Sequence, residues 1–493
     1  MFNKILIANR GEIAVRIIKT CQEMDISTVA VYSDVDSTAP HVLFADEAIS
    51  IGAPEPRESY LNIEKIIEVA LENDVDAVHP GYGFLSENHQ FARACEKAKI
   101  TFIGPSIAAM TMLGDKLRSR QIMQSVGIPV IPGMIIKANS ENEIITAAEK
   151  IGYPVLLKAS AGGGGKGMRI VEKPDQLKPA LDACQREALA AFGDDTVYVE
   201  KYFRQLRHIE FQILADHHGN YVHLFERECS IQRRHQKIIE ESPSPLLTDD
   251  LRKRMAEAAI NVVKTAGYTN AGTVEFLVDQ DTNFYFLEVN ARLQVEHPVT
   301  EFITGIDLVR QQILIANNER LQIKQADIYK RGHAIEARIY AEDPENNFLP
   351  SSGKILFVEA PTGPWIRNDS GIRSGLELPI YYDPILAKLI VWGETREIAC
   401  KRMETALKQY VILGIKTQIP FLRDIVSHAE FKKTAIDTHF IENHFAEWKP
   451  GYDHVDLSLM ISAIEEDTQR KSFSNSANNK RATPWIQVGR WQI

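Results

Sequence analysis

Cysteine is scarce in this 493-residue chain. The five residues, Cys21, Cys95, Cys184, Cys229 and Cys400, are odd in number and include no C-x-x-C pair. That excludes a disulfide framework and a zinc knuckle and points to a reducing compartment. Long hydrophobic runs are also missing: nothing approaches the ~20 apolar residues of a membrane helix. The opening residues 1–8 read as a strand, because the apolar run is too short for a secretory leader and no small-residue cleavage site follows. A soluble, cytoplasmic protein without a membrane partner is expected. The formal charge is −10 and no long basic run occurs, which argues against nucleic acid as the main partner. Two phosphate-binding patterns are absent as well. The first strand–helix turn, N-R-G-E at 9–12, lacks the glycines of G-x-G-x-x-G, so no dinucleotide site is expected there. The loop A-G-G-G-G-K-G at 161–167 is not a Walker A loop: Gly167 stands where Ser or Thr is required, and a strand follows where a helix is needed.

What is present is 44% hydrophobic sequence, enough to build the cores of two to four domains. The central stretch is E-V-N-A-R-L-Q-V-E-H-P at 288–298, after an apolar strand at 284–287. Alternate residues of a strand share a face. Glu288, Asn290 and Arg292 therefore point one way, followed by Gln294 and Glu296 if the chain stays extended. Tyr285, Leu287 and Val289 are expected to be buried on the other face. So many polar groups in one row are too costly to serve as core filler. They predict a metal site, Glu288 with Asn290, running into an anion site at Arg292.

The chain around this stretch alternates strands and helices. Strands at 4–8 and 27–32 flank a helix with apolar positions Ile13, Ala14, Ile17, Ile18 and Cys21, a βαβ unit that implies a parallel sheet. A strand at 76–79 leads into the loop 80–88, which is either a plain turn or a pocket edge. Asp115 is a candidate helix cap, and a domain boundary is expected near it. Strands at 153–160 and 168–171 flank the glycine loop. That loop is either a flexible surface hairpin or a flap whose backbone N–H groups cover phosphates, with Lys158 as a phosphate partner. The strand at 196–203 ends in a hinge where Glu200 and Phe203 are candidates to hold a purine. In the strand 208–214, His208, Glu210 and Gln212 share one face. Residues 226–243 are densely charged and, on composition alone, read as a solvated loop. A helix is expected at 248–266, capped by Thr248 or Asp249. Glu275 in the strand 273–278 gives, with Glu288, two carboxylates on neighbouring strands, as Mg²⁺ requires. Past 317 the pattern is β-rich, with a strand at 331–340, a turn into another strand over 381–390 and a helix at 395–410. Beyond 447 follow an amphipathic helix near Leu459 to Ile464, a low-complexity linker at 472–479 and a Trp-containing segment at 484–491. This last segment reads equally as a docking strand or as self-packing.

A glycine-rich flap, a hinge carboxylate and two metal carboxylates on adjacent strands together look like the ATP-grasp fold. Longer strings carry the likeness further. H-P-G-Y-G-F-L-S-E-N at 79–88, the loop 162–168, R-R-H-Q-K at 233–237 and N-A-R-L-Q-V-E-H-P-V-T-E at 290–301 resemble biotin carboxylase. So do R-G-H-A at 331–334 and Y-D-P at 382–384. The likeness runs from residue 1 to about 446. It implies an α/β protein with a Rossmann-like parallel-sheet domain at 1–113 and an ATP-grasp domain at 114–330, whose mobile glycine-rich lid spans about 131–203. A β-rich α+β domain at 331–446 and a tail at 447–493 complete the chain.

The resemblance also implies roles. Lys116, Lys158, Gly163, Gly164, Gly165, Lys166, Glu200, Lys201, Phe203, His208, Gln232 and His235 would hold ATP. Glu275 and Glu288 would bind Mg²⁺ or Mn²⁺, with Asn290 near a second ion. Lys237, Arg292, Gln294 and the Val295 backbone would hold bicarbonate, and Glu296 would deprotonate it. Arg338 would stabilise the biotin enolate, and Tyr82 and Gly83 would line the biotin pocket. No A-M-K-M-type biotinylation site occurs, so biotin would come on a separate carrier chain. A carboxyltransferase subunit would be a further partner, and the family suggests a homodimer. Two rival readings make different demands. A carbamoyl-phosphate-type or amino-acid ligase would have no use for Arg338. A nucleotide-sensing subunit would be expected to have lost some of Glu275, Glu288, Arg292 and Glu296.

Overall fold

The βαβ pattern of the first hundred residues is realised as a five-stranded parallel sheet. Strands β1 (Lys4–Ile7), β2 (Ser27–Tyr32), β3 (Glu47–Ser50), β4 (Ala77–His79) and β5 (Thr101–Phe102) lie in the order β3-β2-β1-β4-β5. Ile13, Ala14, Ile17, Ile18 and Cys21 of the helix Gly11–Glu23 pack against Ile5 and Ile7, as their spacing predicts. The loop after β4 is pinned from below: Asn9 Nδ2 donates to the Pro80 and Tyr82 carbonyls, both at 2.7 Å. Gly81 has φ +62°, and a Cβ there would stand 3.0 Å from Asn9 Nδ2, so only glycine suits the turn. The computed structural model describes residues 1–136, 141–159, 168–192 and 197–451. The glycine loop and all the tail elements predicted beyond 451 lie outside the described residues.

A second sheet carries its own core. Strands β6 (Gly133–Ile136), β7 (Val155–Ala159), β8 (Met168–Val171) and β9 (Val197–Lys201) lie antiparallel in the order β6-β9-β7-β8. Val155, Leu157, Val171, Val197 and Val199 pack on Ile144, Ala147, Leu177 and Leu181 of the two helices Glu141–Ile151 and Leu177–Phe192. The two strands predicted to flank the glycine loop pair antiparallel, with Lys158 opposite Met168. The helix Lys116–Ser125 precedes this sheet and is capped by Asp115, whose carboxylate accepts from the Arg118 N–H.

Eight of the remaining strands form one antiparallel sheet, and the others pair two by two. Strands β10 (Arg207–Ala215), β11 (Tyr221–Arg233), β12 (Gln236–Ser242), β13 (Asn270–Val278), β14 (Phe284–Asn290) and β15 (His333–Tyr340) run in the order β14-β13-β10-β11-β12-β15. The strand Ile385–Gly393 pairs next to β15, and Ile366–Ser370 forms the edge. The sheet thus continues across residue 330 through the β12–β15 pairing. One face of β10, Ile209, Phe211 and Ile213, packs with Phe276 and Phe286 on Met255, Ala259 and Val262 of the helix Asp249–Thr265. Thr248 caps that helix by accepting from the Leu251 N–H. The opposite face of the sheet is polar and carries the site.

Two expectations are corrected here. Residues 226–243 are not a solvated loop but most of β11 and β12, and Glu226, Arg227, Glu228, Glu240 and Glu241 are all buried. Composition misleads because opposite charges on adjacent strands satisfy one another. The alternation along β14 is also broken. A register shift between Glu275 and Phe276 turns Phe286 into the core and leaves Leu287 exposed. The extra residue of a β-bulge reverses the faces before it. Beyond Asn290 the chain leaves the strand, so Gln294 and Glu296 reach the site from a loop.

Candidate active site

Register creates the site. Opposed residues on neighbouring strands place Arg227, Glu210, Glu275 and Glu288 side by side across β11, β10, β13 and β14. Three carboxylates in one row need cations. Arg227, fully buried, donates through Nε to Glu210 Oε1 at 2.5 Å and spends its other nitrogens on Gln212, Thr273 and Thr300. Lys237 reaches in from β12. Its Nζ lies 2.5 Å from Glu210 Oε2, 2.8 Å from Glu275 Oε1 and 2.7 Å from Glu296 Oε1. Burial opposes the charge on Lys237, but these three carboxylates outweigh it and hold its pKa well above the ordinary lysine value.

Glu296 is fully buried at the start of the helix His297–Thr304. It stands at the N-cap position, yet its carboxylate makes no cap hydrogen bond. One oxygen meets Lys237, and the other accepts from Arg338 Nη2 at 2.9 Å. Burial pushes this carboxyl up, while Lys237, Arg338 and Arg227 together hold it well below the usual carboxylate range. Arg338 also donates through Nε to Glu240 Oε1 at 2.6 Å. Glu240 stays raised to about 7 by burial despite Arg338.

Arg292 is oriented from three sides. It donates to Glu87 Oε2 at 3.0 Å, to Gln294 Oε1 at 2.9 Å and to Asn290 Oδ1 at 3.0 Å. Glu87 belongs to the loop after β4 and also accepts from the Ala291 N–H at 2.9 Å, which joins that loop to this site. Gln294 Nε2 faces Glu275 Oε1 at 3.4 Å. Arg292, Gln294, Glu296, Lys237 and Arg338 are therefore linked in one cluster through Glu275. In the loop itself Tyr82 is half-buried, Gly83 is exposed with φ +70°, and the Tyr82 hydroxyl has no hydrogen-bond partner among the described residues.

The predicted nucleotide residues divide. Lys158 and Glu200 pair with one another, and Arg120 Nη1 lies 3.3 Å from Glu200. The Phe203 ring sits 5.2 Å from that of Tyr285 on β14. His208 Nε2 is 3.0 Å from Glu275 Oε2, and its Nδ1 faces Gln232 Nε2 at 2.9 Å. His235 is exposed at the β11–β12 turn, where Arg234 and His235 both have positive φ. The Lys201 ammonium is not aimed at this group. It donates to the Gly152 and Tyr153 carbonyls in the turn before β7, so only the Lys201 main chain lies at the hinge. Lys116 opens its helix; Gly163, Gly164, Gly165 and Lys166 lie outside the described residues.

Glu275 and Glu288 face one another across β13 and β14. Burial raises the Glu275 carboxyl, but Lys237 and His208 hold it well below the ordinary range, so it is ionised. Carboxylate oxygens at one register position on adjacent strands suit a hard divalent cation. Asn290 Nδ2, beside them, is buried without a partner among the described residues. Sequence reading missed Glu210, Arg227, Glu87 and Arg120. Glu210 gave a signal through its shared face with His208, and Glu87 one through its place in the loop 80–88, read as either a plain turn or a pocket edge.

The family model described as biotin carboxylase N-terminal domain matches residues 1–110. The carbamoyl-phosphate synthase L chain ATP-binding domain matches 115–324, and the biotin carboxylase C-terminal domain matches 336–443. The chain is 51% identical over 489 residues to a pyruvate carboxylase subunit of Methanothermobacter thermautotrophicus, covering 99% of this chain and 98% of that one. It is 53% identical over 444 residues to biotin carboxylase of Halalkalibacterium halodurans, covering 90% and 98%. The fold resembles the biotin carboxylase domain dimer of Hydrogenobacter thermophilus 2-oxoglutarate carboxylase, solved with MgADP, ADP and bicarbonate. That match has a TM-score of 0.84 at 48% identity and covers 90% of this chain and 98% of that one. A carboxylate held between two cations and end-to-end likeness at this level agree: the chain belongs to the biotin carboxylase family of ATP-grasp ligases.

Proposed function

We propose that this chain is the biotin carboxylase subunit of a biotin-dependent carboxylase. It converts ATP, bicarbonate and carrier-bound biotin into ADP, phosphate and carboxybiotin by way of carboxyphosphate. The observation that carries this reading is Glu296, gripped by Lys237 at 2.7 Å and Arg338 at 2.9 Å beside the oriented guanidinium of Arg292. Bicarbonate is a poor nucleophile that loses its proton as it attacks phosphorus. An ionised carboxylate next to fixed cations answers that need.

Arg292, Gln294, Lys237 and the Val295 main chain hold bicarbonate, and Glu296 takes its proton. When bicarbonate draws Lys237 toward itself, Glu296 loses part of the field that depresses its pKa and becomes a better base. Lys158, His208, Glu200 and Phe203 hold the nucleotide. Glu275, Glu288 and Asn290 are the residues that hold Mg²⁺ or Mn²⁺, which supplies charge neutralisation at the phosphates when bound. Arg338 provides a fixed guanidinium for negative charge developing on the biotin ureido oxygen, and Tyr82 with Gly83 forms the edge of that pocket. The glycine loop acts as a lid that keeps water from the labile carboxyphosphate. The partners are a second copy of the chain, a biotin carrier and a carboxyltransferase subunit.

The test is transfer of labelled bicarbonate carbon to a biotinylated carrier domain. Acid-labile label on the carrier, dependent on ATP, is expected. Label appearing instead on ammonia or an amino acid would overturn the reading.

A further inference from the structure

Lys388 is an ammonium with no access to solvent, and none of the roles above uses it. It lies on the strand Ile385–Gly393, directly opposite Arg338 on β15, so the two cations share one face of the sheet. Its Nζ donates to the Val295 carbonyl at 2.9 Å. Glu12 Oε2 lies 3.3 Å away and Asp369 Oδ2 4.0 Å away, and the Tyr82 ring centroid is 5.8 Å from Nζ. Burying an ammonium is costly, and apolar residues of similar size are commonly as stable. Stability is therefore a poor reason for a lysine here, and the group it holds is the better one.

That group is the main chain next to the base. His297 Nδ1 faces the Gln294 carbonyl at 2.8 Å; a carbonyl only accepts, so Nδ1 carries the proton. Two successive carbonyls, those of Gln294 and Val295, are thus fixed by side chains. The peptide after the second leads directly into Glu296. Glu296 stands at the N-cap without capping the helix and points to Lys237 and Arg338. Arg338 holds the Glu296 side chain while Lys388, its cross-strand neighbour, holds the main chain before it. We propose that Lys388 is a positioning residue for the carboxylate base, fixing the Val295 carbonyl so that Glu296 and the 294–296 main chain keep their aim at the anion. The inference rests on the functional reading above.

The test uses the full chain with Lys388→Met, Lys388→Arg and the double variant Lys388→Met with Glu12→Gln. The double variant removes a charge of each sign, so it decides the matter if the single variant fails to fold. Two readouts are taken: amide hydrogen exchange across 293–297, and bicarbonate-dependent ADP release. Exchange there is expected to rise at least tenfold in the uncharged variants, with kcat/KM for bicarbonate falling at least tenfold. KM for ATP is expected to stay within twofold, and Lys388→Arg to recover part of the loss. Unchanged exchange in a folded uncharged variant overturns the proposal whatever the activity. Raised exchange with unchanged kcat/KM for bicarbonate overturns it too. A wild-type chain without bicarbonate-dependent ADP release would instead overturn the functional reading, and the exchange result would still decide whether Lys388 holds the segment.

Discussion

Lys237 Nζ lies 2.7 Å from Oε1 of Glu296 and 2.8 Å from Oε1 of Glu275. One ammonium thus joins Glu296 to the carboxylate row of β10 and β13. Glu296→Gln keeps the shape and removes the proton acceptor. Bicarbonate-dependent ADP release is expected to fall by about 10²–10⁴-fold, the usual contribution of a positioned general base. Nucleotide affinity, measured by calorimetry, is expected to change little. A fall of less than tenfold would remove Glu296 from its role.

Arg338→Ala separates the half-reactions. The guanidinium bridges Glu240 and Glu296 and has no part in the Lys158–Glu200 pair. Carboxybiotin formation is expected to drop by about 10²–10³-fold, the scale for loss of one preorganised donor, while nucleotide binding remains. Full retention of carboxylation would sink the assignment. Lys at this position is expected to rescue poorly, because one ammonium cannot reproduce the planar fork.

Much of this arrangement is legible in the sequence, and the failures have a common cause. The βαβ start, the Asp115 and Thr248 caps and the β7–β8 pairing follow from local periodicity and turn chemistry. The row Glu288, Asn290, Arg292 is polar enough to announce itself. Arg227 does not announce itself, and Glu210 shows only a face shared with His208, because their meaning depends on which strands pair and in what register. Lys388 is similar: within its strand it looks like one exposed charge among apolar residues, and only the sheet shows it wholly buried. Leu287 lies outside, against its alternation, because a bulge changes parity without leaving a clear local signature. Residues 226–243 mislead because charge density says nothing about whether the partners lie on neighbouring strands.

Arg227 is fully buried with its nitrogens committed. Arg227→Met leaves Glu210 with Lys237 alone and strands three other polar partners. A loss of about 3–5 kcal/mol is expected, as for breaking a buried ion pair on one side, measured by urea denaturation. A change below about 1 kcal/mol would show that the sheet relaxes around the gap.

Glu12 gives a pH signature. Its carboxyl is raised from 4.5 to about 7, by burial first, with Lys388 acting against the shift. Between those pH values the folded chain holds a proton that the unfolded chain has released, so this group's contribution to stability is lost as pH rises from about 4.5 through about 7. Glu12→Gln is expected to flatten the fall in stability across that window by about 1–3 kcal/mol. Parallel stability–pH curves for the two proteins would contradict it. Glu241 works in the opposite sense. Burial raises it, but Arg396 and His333 outweigh burial and bring it to about 2, so its contribution is present above about 4.5 and lost as pH falls toward 2.

The most direct test of the central claim is bicarbonate-dependent ADP release by the purified chain, with and without free biotin. Stimulation by biotin, abolished in Arg338→Ala, is the predicted result. Release stimulated by ammonia or an amino acid but not by biotin would contradict the account and move the chain to another branch of ATP-grasp ligases.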